Sequence, residues 1–199
     1  MKIIIVGATG AVGKTAVDAL SARHEVIRVG RTSGDVQMDI EDIDSIRAMY
    51  QQVGNVDAVV SAIGQVHFGA VHEMTSEQFM KGINQKVLPQ VNLVLEGFDY
   101  VNDGGSFTVT SGVLNRDPIR GGSCAAAANG ALDGFVRGAA VDMPRGIRIN
   151  AVSPEVLEMC RAKYDGFFHG HEHVSNEAVG LAYSKAVEGC LSGQIFIVE

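Results

Sequence analysis

Three groups of residues in this chain could do chemistry. The first is Val6-Gly7-Ala8-Thr9-Gly10-Ala11-Val12-Gly13-Lys14, a glycine-rich turn directly after the apolar run Ile3-Ile4-Ile5-Val6. Glycines there let the backbone turn tightly and approach a pyrophosphate, and the first amides and dipole of a following helix face that anion. The spacing predicts a dinucleotide site at Gly7, Thr9, Gly10, Ala11, Val12 and Gly13. The second group is Gly30-Arg31-Thr32-Ser33. An NAD site usually holds an acid about 20 residues past the glycine turn, bonding the ribose 2′-hydroxyl. Here Arg31 offers a guanidinium fork, and Thr32 and Ser33 offer hydroxyls, to a 2′-phosphate. That favours NADP, as NADPH. The third group is the scattered histidines and cysteines. His67 and His72 follow a strand at the rim where substrates bind in such sheets, so either could donate a proton. His169, His171 and His173 with Glu172 form a local patch. Zinc sites more often draw spaced ligands from separate elements, so a solvated loop is expected there and no metal.

These residues need a scaffold. Ile3 to Val6 is too short to be anything but a buried strand, and Val12, Ala16 and Leu20 recur on one helical face. Further strands are expected at Glu25 to Gly30, Val36 to Met38, Val56 to Val60, Gly105 to Thr110, Ile147 to Val152 and Gln194 to Val198. Helices are expected from Ile43 to Gln51, from a capping box at Thr75 and Gln78 with a kink at Pro89, from Ser123 to Val141 and from Ser175 to Val187. Alternating strands and helices predict a doubly wound parallel sheet, a Rossmann fold of about seven strands, as one domain over residues 1–199. Val156 to Val174 is the least regular stretch.

Composition narrows the function classes. The net charge of −7, with no long basic run, argues against nucleic acid and anionic membrane as partners. No apolar run approaches the ~18 residues of a membrane span, and the first strand begins too early for a signal peptide. Cys124, Cys160 and Cys190 are odd in number and unpaired in spacing, which suits a cytoplasmic location.

The whole chain resembles the short-chain dehydrogenase/reductase family. The resemblance rests on the glycine turn and on Met38-Asp39-Ile40, where the family has an adenine-contacting acid. Ser61-Ala62-Ile63-Gly64 stands where the family has Asn-Asn-Ala-Gly. Ile149-Asn150-Ala151-Val152-Ser153-Pro154 matches the segment beside the nicotinamide, and Ser192-Gly193-Gln194-Ile195 matches the family's ending. The resemblance adds Asp39, Ile40, Ser61, Ala62, Ile63, Gly64 and Pro154 to the cofactor site. It implies Ser111 as the carbonyl-orienting serine and Asn84 as the helix asparagine of a proton relay. It also implies pairing of the small-residue helix, whose Gly130, Gly134 and Gly138 form one ridge, with its copy in a homodimer or homotetramer. The alternative for this ridge is packing on the chain's own sheet.

The same resemblance exposes a gap. The family's reaction uses a tyrosine and a lysine four residues apart on one helix. Gly130-Ala131-Leu132-Asp133-Gly134-Phe135 aligns that helix here, and the two positions hold Ala125 and Asn129. Tyr183 and Lys185, two apart on a later helix, do not replace them, and Cys124 reads as a small buried thiol. Val156 to Val174 stands where the family has its substrate lid, with Glu155 in place of the usual glycine; Tyr164, Phe167 and Phe168 could line a pocket. Three functions stay open: an oxidoreductase acting on an unknown small carbonyl or alcohol with an atypical site; a non-catalytic dinucleotide-binding sensor or scaffold; and non-redox chemistry in the same cleft.

Overall fold

The computed structural model describes residues 1–199. In chain order its elements are β1 (Lys2–Val6), α1 (Ala11–Leu20), β2 (Glu25–Gly30), β3 (Val36–Gln37), α2 (Ile43–Val53), β4 (Val56–Ser61), α3 (Ser76–Gly82), α4 (Leu88–Leu95), β5 (Val101–Thr110), α5 (Ser123–Asp142), β6 (Arg148–Pro154), the short β7 (Val156–Leu157) and β8 (His173–Val174), α6 (Asn176–Glu188) and β9 (Ile195–Val198). Seven strands form one sheet in the order β3-β2-β1-β4-β5-β6-β9, every pair parallel. This is the doubly wound arrangement that the alternation of elements implies. The chain winds outward one way from β1 through β2 to β3 and then the other way from β4. The crevice outside the carboxyl ends of β1 and β4 is the place where such sheets bind ligands.

The first strand shows why the layers form. Side chains alternate across a strand, and β1 is buried on both faces. Ile4 and Val6 join a core with Met49, Tyr50, Leu93, Ala128, Leu132 and Val136 from α2, α4 and α5. Ile3 and Ile5 join the opposite core with Ala16, Leu20, Val179 and Tyr183 from α1 and α6. Tyr183 is fully buried, and its hydroxyl lies 2.6 Å from the Thr110 Oγ1 on β5. Burial pushes that phenol's pKa up. It is a core anchor, not a proton donor.

Two stretches depart from the expected pattern. β5 starts at Val101 rather than Gly105, because its register shifts against β4 between Val56 and Ala58 and Gly104 takes a φ of +74°. The helix from Thr75 does not simply kink at Pro89. The capping box forms, with the Gln78 N–H donating to Thr75 Oγ1 at 3.2 Å and the Thr75 N–H to Gln78 Oε1 at 2.9 Å. The helix then passes through a π turn, Ile83–Val87, before α4 resumes. Pro89 has no N–H and its ring crowds the carbonyl four residues back, that of Gln85. The Gln85 carbonyl instead accepts from the Gln65 N–H at 3.3 Å. The ladder is rebuilt one residue wider.

On α5, Cys124, Ala125, Ala128, Asn129, Leu132, Asp133 and Val136 are buried, whereas Gly130, Gly134 and Gly138 are exposed. No atom stands within 4 Å of a Cβ built at Gly134 or Gly138. The glycine ridge therefore does not pack on the chain's own sheet. No helix is long and apolar enough to cross a membrane.

Candidate active site

The glycine turn makes a cradle that side chains would fill. Gly7 takes a φ of +79°, and a Cβ there would fall 2.6 Å from the Ala62 carbonyl oxygen. A Cβ at Gly13 would fall 2.0 Å from the Gly7 carbonyl oxygen. Gly10 caps α1 in an extended conformation, and no side chain caps the helix. The first amides of a helix have no intrahelical acceptor, and Gly10, Ala11 and Val12 line an open cleft. An uncapped N-terminus facing solvent, with backbone packed behind it, fits an anion such as a pyrophosphate.

After β2, Arg31 Nη2 lies 3.2 Å from Asp39 Oδ2, and both side chains are exposed. Two residues inferred separately thus form one pair beside Thr32 and Ser33, which are exposed on the loop after β2. Ile40 packs at the edge of the core. Thr9 Oγ1 lies 3.7 Å from where a Gly30 Cβ would stand. Ser61 is buried under the site, with its carbonyl accepting from Thr110 Oγ1 at 2.6 Å. Ala62, Ile63, Gly64 and Pro154 line the cleft.

The cleft, of about 360 Å³, opens at the carboxyl ends of β4, β5 and β6. Ser111, Ala125 and Asn129 share its wall. The Ser111 Oγ is buried and has no protein partner. Asn84, in contrast, is exposed and does not line the cleft. Its neighbours one turn before and after, Met80, Lys81 and Leu88, are exposed as well. Lys86 is the residue that turns inward. Its Nζ donates to the Asn129 Oδ1 at 2.6 Å and to the Ser111 carbonyl at 2.9 Å. Its stem runs over Gly64, where a Cβ would fall 2.4 Å from the Lys86 Cγ. Burial pushes the Lys86 ammonium down to about 8, against the pull of Asp133.

The opposite wall carries a second unforeseen group. Glu155, buried, accepts from the His171 Nδ1 at 3.0 Å, and the His171 Nε2 lies 3.7 Å from an Asp117 carboxylate oxygen. The three donor atoms fall within 4.8 Å of one another. The carboxylates flank opposite nitrogens of one ring, a hydrogen-bonded tether rather than three donors converging on a point. It holds the lid to the wall, with Phe168 edge-on to His171 at 5.2 Å and Tyr164 edge-on to Phe168 at 5.6 Å. Tyr164 and Phe168 line the cleft, whereas Phe167 points out. His171 is thus not part of a solvated loop: its side chain is only 4% exposed. Cys124 is buried off the cleft, 3.4 Å from the Phe79 carbonyl. His72 is exposed beside Glu73, and neither it nor His67 lines the cleft.

Comparison with known proteins settles the family. The family model described as enoyl-(acyl carrier protein) reductase matches residues 1–181. This chain belongs to the short-chain dehydrogenase/reductase family. Such dehydrogenases and reductases bind a nicotinamide dinucleotide. The crystal structure of the protein lin1944 from Listeria innocua is 48% identical over 100% of both chains, with a TM-score of 0.98. A small-chain dehydrogenase in complex with NADPH shares the fold at a TM-score of 0.86 and 23% identity, over 100% of this chain and 96% of its own. Hydroxynaphthalene reductase arp2 of Aspergillus fumigatus is 28% identical over 147 residues, 71% of this chain and 54% of its own. The chain thus spans about half the length of that reductase.

The signal for Lys86 was its spacing. It lies four residues after the buried Gly82 and four before the buried Gln90, on the inward stripe of its helix. A lysine that follows Asn84 and Gln85 nonetheless reads as a solvated charge, and only its contact with Asn129 assigns it to the cleft.

Proposed function

We propose that this chain is an NADPH-dependent oxidoreductase that interconverts a small carbonyl compound and its alcohol, built as one nucleotide-binding domain over residues 1–199. The observation that carries this is the cleft at the sheet's switch point. It runs from the uncapped start of α1 to the wall that holds the partnerless Ser111 hydroxyl, with the Arg31–Asp39 pair exposed after β2.

In this assignment the Gly7–Gly13 turn and the α1 amides hold the pyrophosphate. Arg31, Thr32 and Ser33 hold the 2′-phosphate, and Asp39 and Ile40 border the adenine. Ser61 to Gly64 and Pro154 form the walls on the nicotinamide side. When bound, the reduced nicotinamide supplies a hydride. The chain's own part is to orient the substrate carbonyl with the Ser111 hydroxyl, to exclude water with the lid that Glu155 and His171 tether, and to supply a proton to the oxygen. A reductase among the relatives and a structural neighbour in complex with NADPH support this direction. Three free cysteines fit a reducing compartment such as the cytoplasm, and the exposed glycine ridge of α5 fits a homodimer or homotetramer.

One observation favours a second function, that of a non-catalytic dinucleotide-binding protein. The position aligned with the family's tyrosine is Ala125, and an alanine has no proton to give. Titration of NADPH and NADH by nicotinamide fluorescence, in wild type and Arg31→Ala, tests the cofactor. A charge-assisted contact of roughly 1.5–3 kcal/mol gives a tenfold or larger preference for NADPH, which Arg31→Ala removes. Equal affinities in the wild type refute the assignment. Consumption of NADPH against a panel of aldehydes and ketones then separates enzyme from binding protein.

A further inference from the structure

We propose that Lys86 is the proton donor of this cleft, positioned by Asn129 and acting on the same substrate oxygen as the Ser111 hydroxyl. This rests on the reductase function above and assigns the proton that Ala125 cannot give. Three observations carry it. First, Lys86 lines the cleft, yet it sits on the helix between α3 and α4 and not on α5, so it reaches the Asn129 position from across the site. Second, an ammonium has three N–H donors. The Asn129 Oδ1 and the Ser111 carbonyl take two of them, and no ion pair takes the third. Third, the Ser111 Oγ on the same wall is buried without a partner. An ammonium and a hydroxyl, each with a donor to spare, line a cleft that Ala62, Ile63, Val113, Leu114 and Phe168 also wall. Polar groups in such a wall call for an oxygen to bind. The ligand chemistry that fits is a ketone or aldehyde oxygen between Lys86 and Ser111, with apolar substituents toward the lid.

The step balances. As the carbonyl carbon accepts the hydride, the π electrons of C=O move onto oxygen. The O–H bond forms as one Lys86 N–H bond breaks, its electron pair staying on nitrogen. Substrate gains two electrons and two hydrogens, and Lys86 is left a neutral amine that regains a proton from water. A general acid works best when its pKa lies near the working pH, and burial brings Lys86 to about 8. An arginine in its place would not release a proton. The titratable groups facing Lys86 are Asp133 on α5 and, across the cleft, Glu155, Cys160, Lys163 and Tyr164.

The chain has six lysines, few enough for [ε-13C]lysine NMR on the intact protein. One resonance, absent from Lys86→Met, is expected to titrate near pH 8. With NADP⁺ bound, cyclohexanone or another ketone of the panel is expected to move that titration upward, because the charged form donates to the carbonyl. Kinetically, Lys86→Met and Lys86→Arg are expected to lose 10²–10⁴-fold in kcat with the KM for NADPH held. The fall of wild-type kcat above about pH 8 disappears with them. If Lys86→Met fails to fold, Lys86→Arg keeps the cation and supplies the comparison. A Lys86 titration unmoved by every ketone, in protein that binds NADP⁺, overturns the proposal, as does unchanged kcat in Lys86→Arg. Failure to bind either cofactor overturns the reductase function itself, and the fluorescence titration reads that separately.

Discussion

Lys86→Met makes the cost of a buried cation measurable in the folded state alone. The Lys86 pKa falls from the ordinary 10.5 to about 8, chiefly through loss of hydration. At about 1.4 kcal/mol per pKa unit this is a cost of about 3 kcal/mol whenever the lysine is charged. The sign follows from proton counts. Below about pH 8 both folded and unfolded chains carry the proton, so the folded state bears the full cost. Between about 8 and 10.5 the unfolded chain still holds the proton that the folded chain has released, so stability rises with pH. Lys86→Met removes this rise. It also strips donors from the Ser111 carbonyl and the Asn129 Oδ1, which costs about 1–3 kcal/mol each, so the two proteins should be close in stability at pH 7. Their difference is the informative quantity. Urea unfolding of both at steps from pH 7 to 10.5 should show wild type gaining about 3 kcal/mol on the variant across that window. A difference flat to about 0.5 kcal/mol would mean that Lys86 is hydrated, and the buried-cation account would fall.

Gly13→Ala places a methyl 2.0 Å from the Gly7 carbonyl oxygen; the turn must open, and NADPH affinity by fluorescence should drop at least tenfold. Gly134→Leu should shift sedimentation toward monomer, since the ridge is bare in the single chain; a wild type already monomeric at micromolar concentration would refute the interface. Ala125→Tyr alone should raise kcat in the carbonyl assay, because a phenol placed on the wall that Lys86 shares gains a cation beside it. Adding Asn129→Lys should cancel the gain and lower the melting temperature, since it sets a second ammonium where the Asn129 Oδ1 now accepts from Lys86 at 2.6 Å.

The sheet and the cradle were legible because their signals are local. A run such as Ile3-Ile4-Ile5-Val6 is buried by any parallel sheet, and the glycines declare a backbone that no side chain can enter. The residues lining the cleft after β4 and β6 were legible for a similar reason: strand ends in this topology converge on one edge. Asn84 and Lys86 were not. Asn84 faces solvent with Met80, Lys81 and Leu88, whereas Lys86 lies on the inward stripe of Gly82 and Gln90 and was masked by its charge. The Glu155–His171–Asp117 tether was hidden for a different reason. Its members lie in three segments, brought together only when β7 and β8 pair and fold the lid back on the wall.

The placement of Lys86 depends on several residues at once, and their coupling says how this site differs from one built on a tyrosine. Pro89 frees the Gln85 carbonyl, which accepts from Gln65 and ties the loop of Gly64 to the lysine's helix. Gly64, at a φ of +143°, leaves the space its stem occupies. Asn129 supplies an acceptor where a lysine on α5 would repel it. Each of the three is unfavourable or neutral by itself: a proline and a π turn weaken a helix, and a buried amide needs a partner. Together they hold one cation over a carbonyl oxygen and a serine. Gly64 also belongs to the segment after β4 that lines the cleft. A Cβ at Gly64 would fall 2.4 Å from the Lys86 Cγ, so any movement of that loop would press on the Lys86 stem.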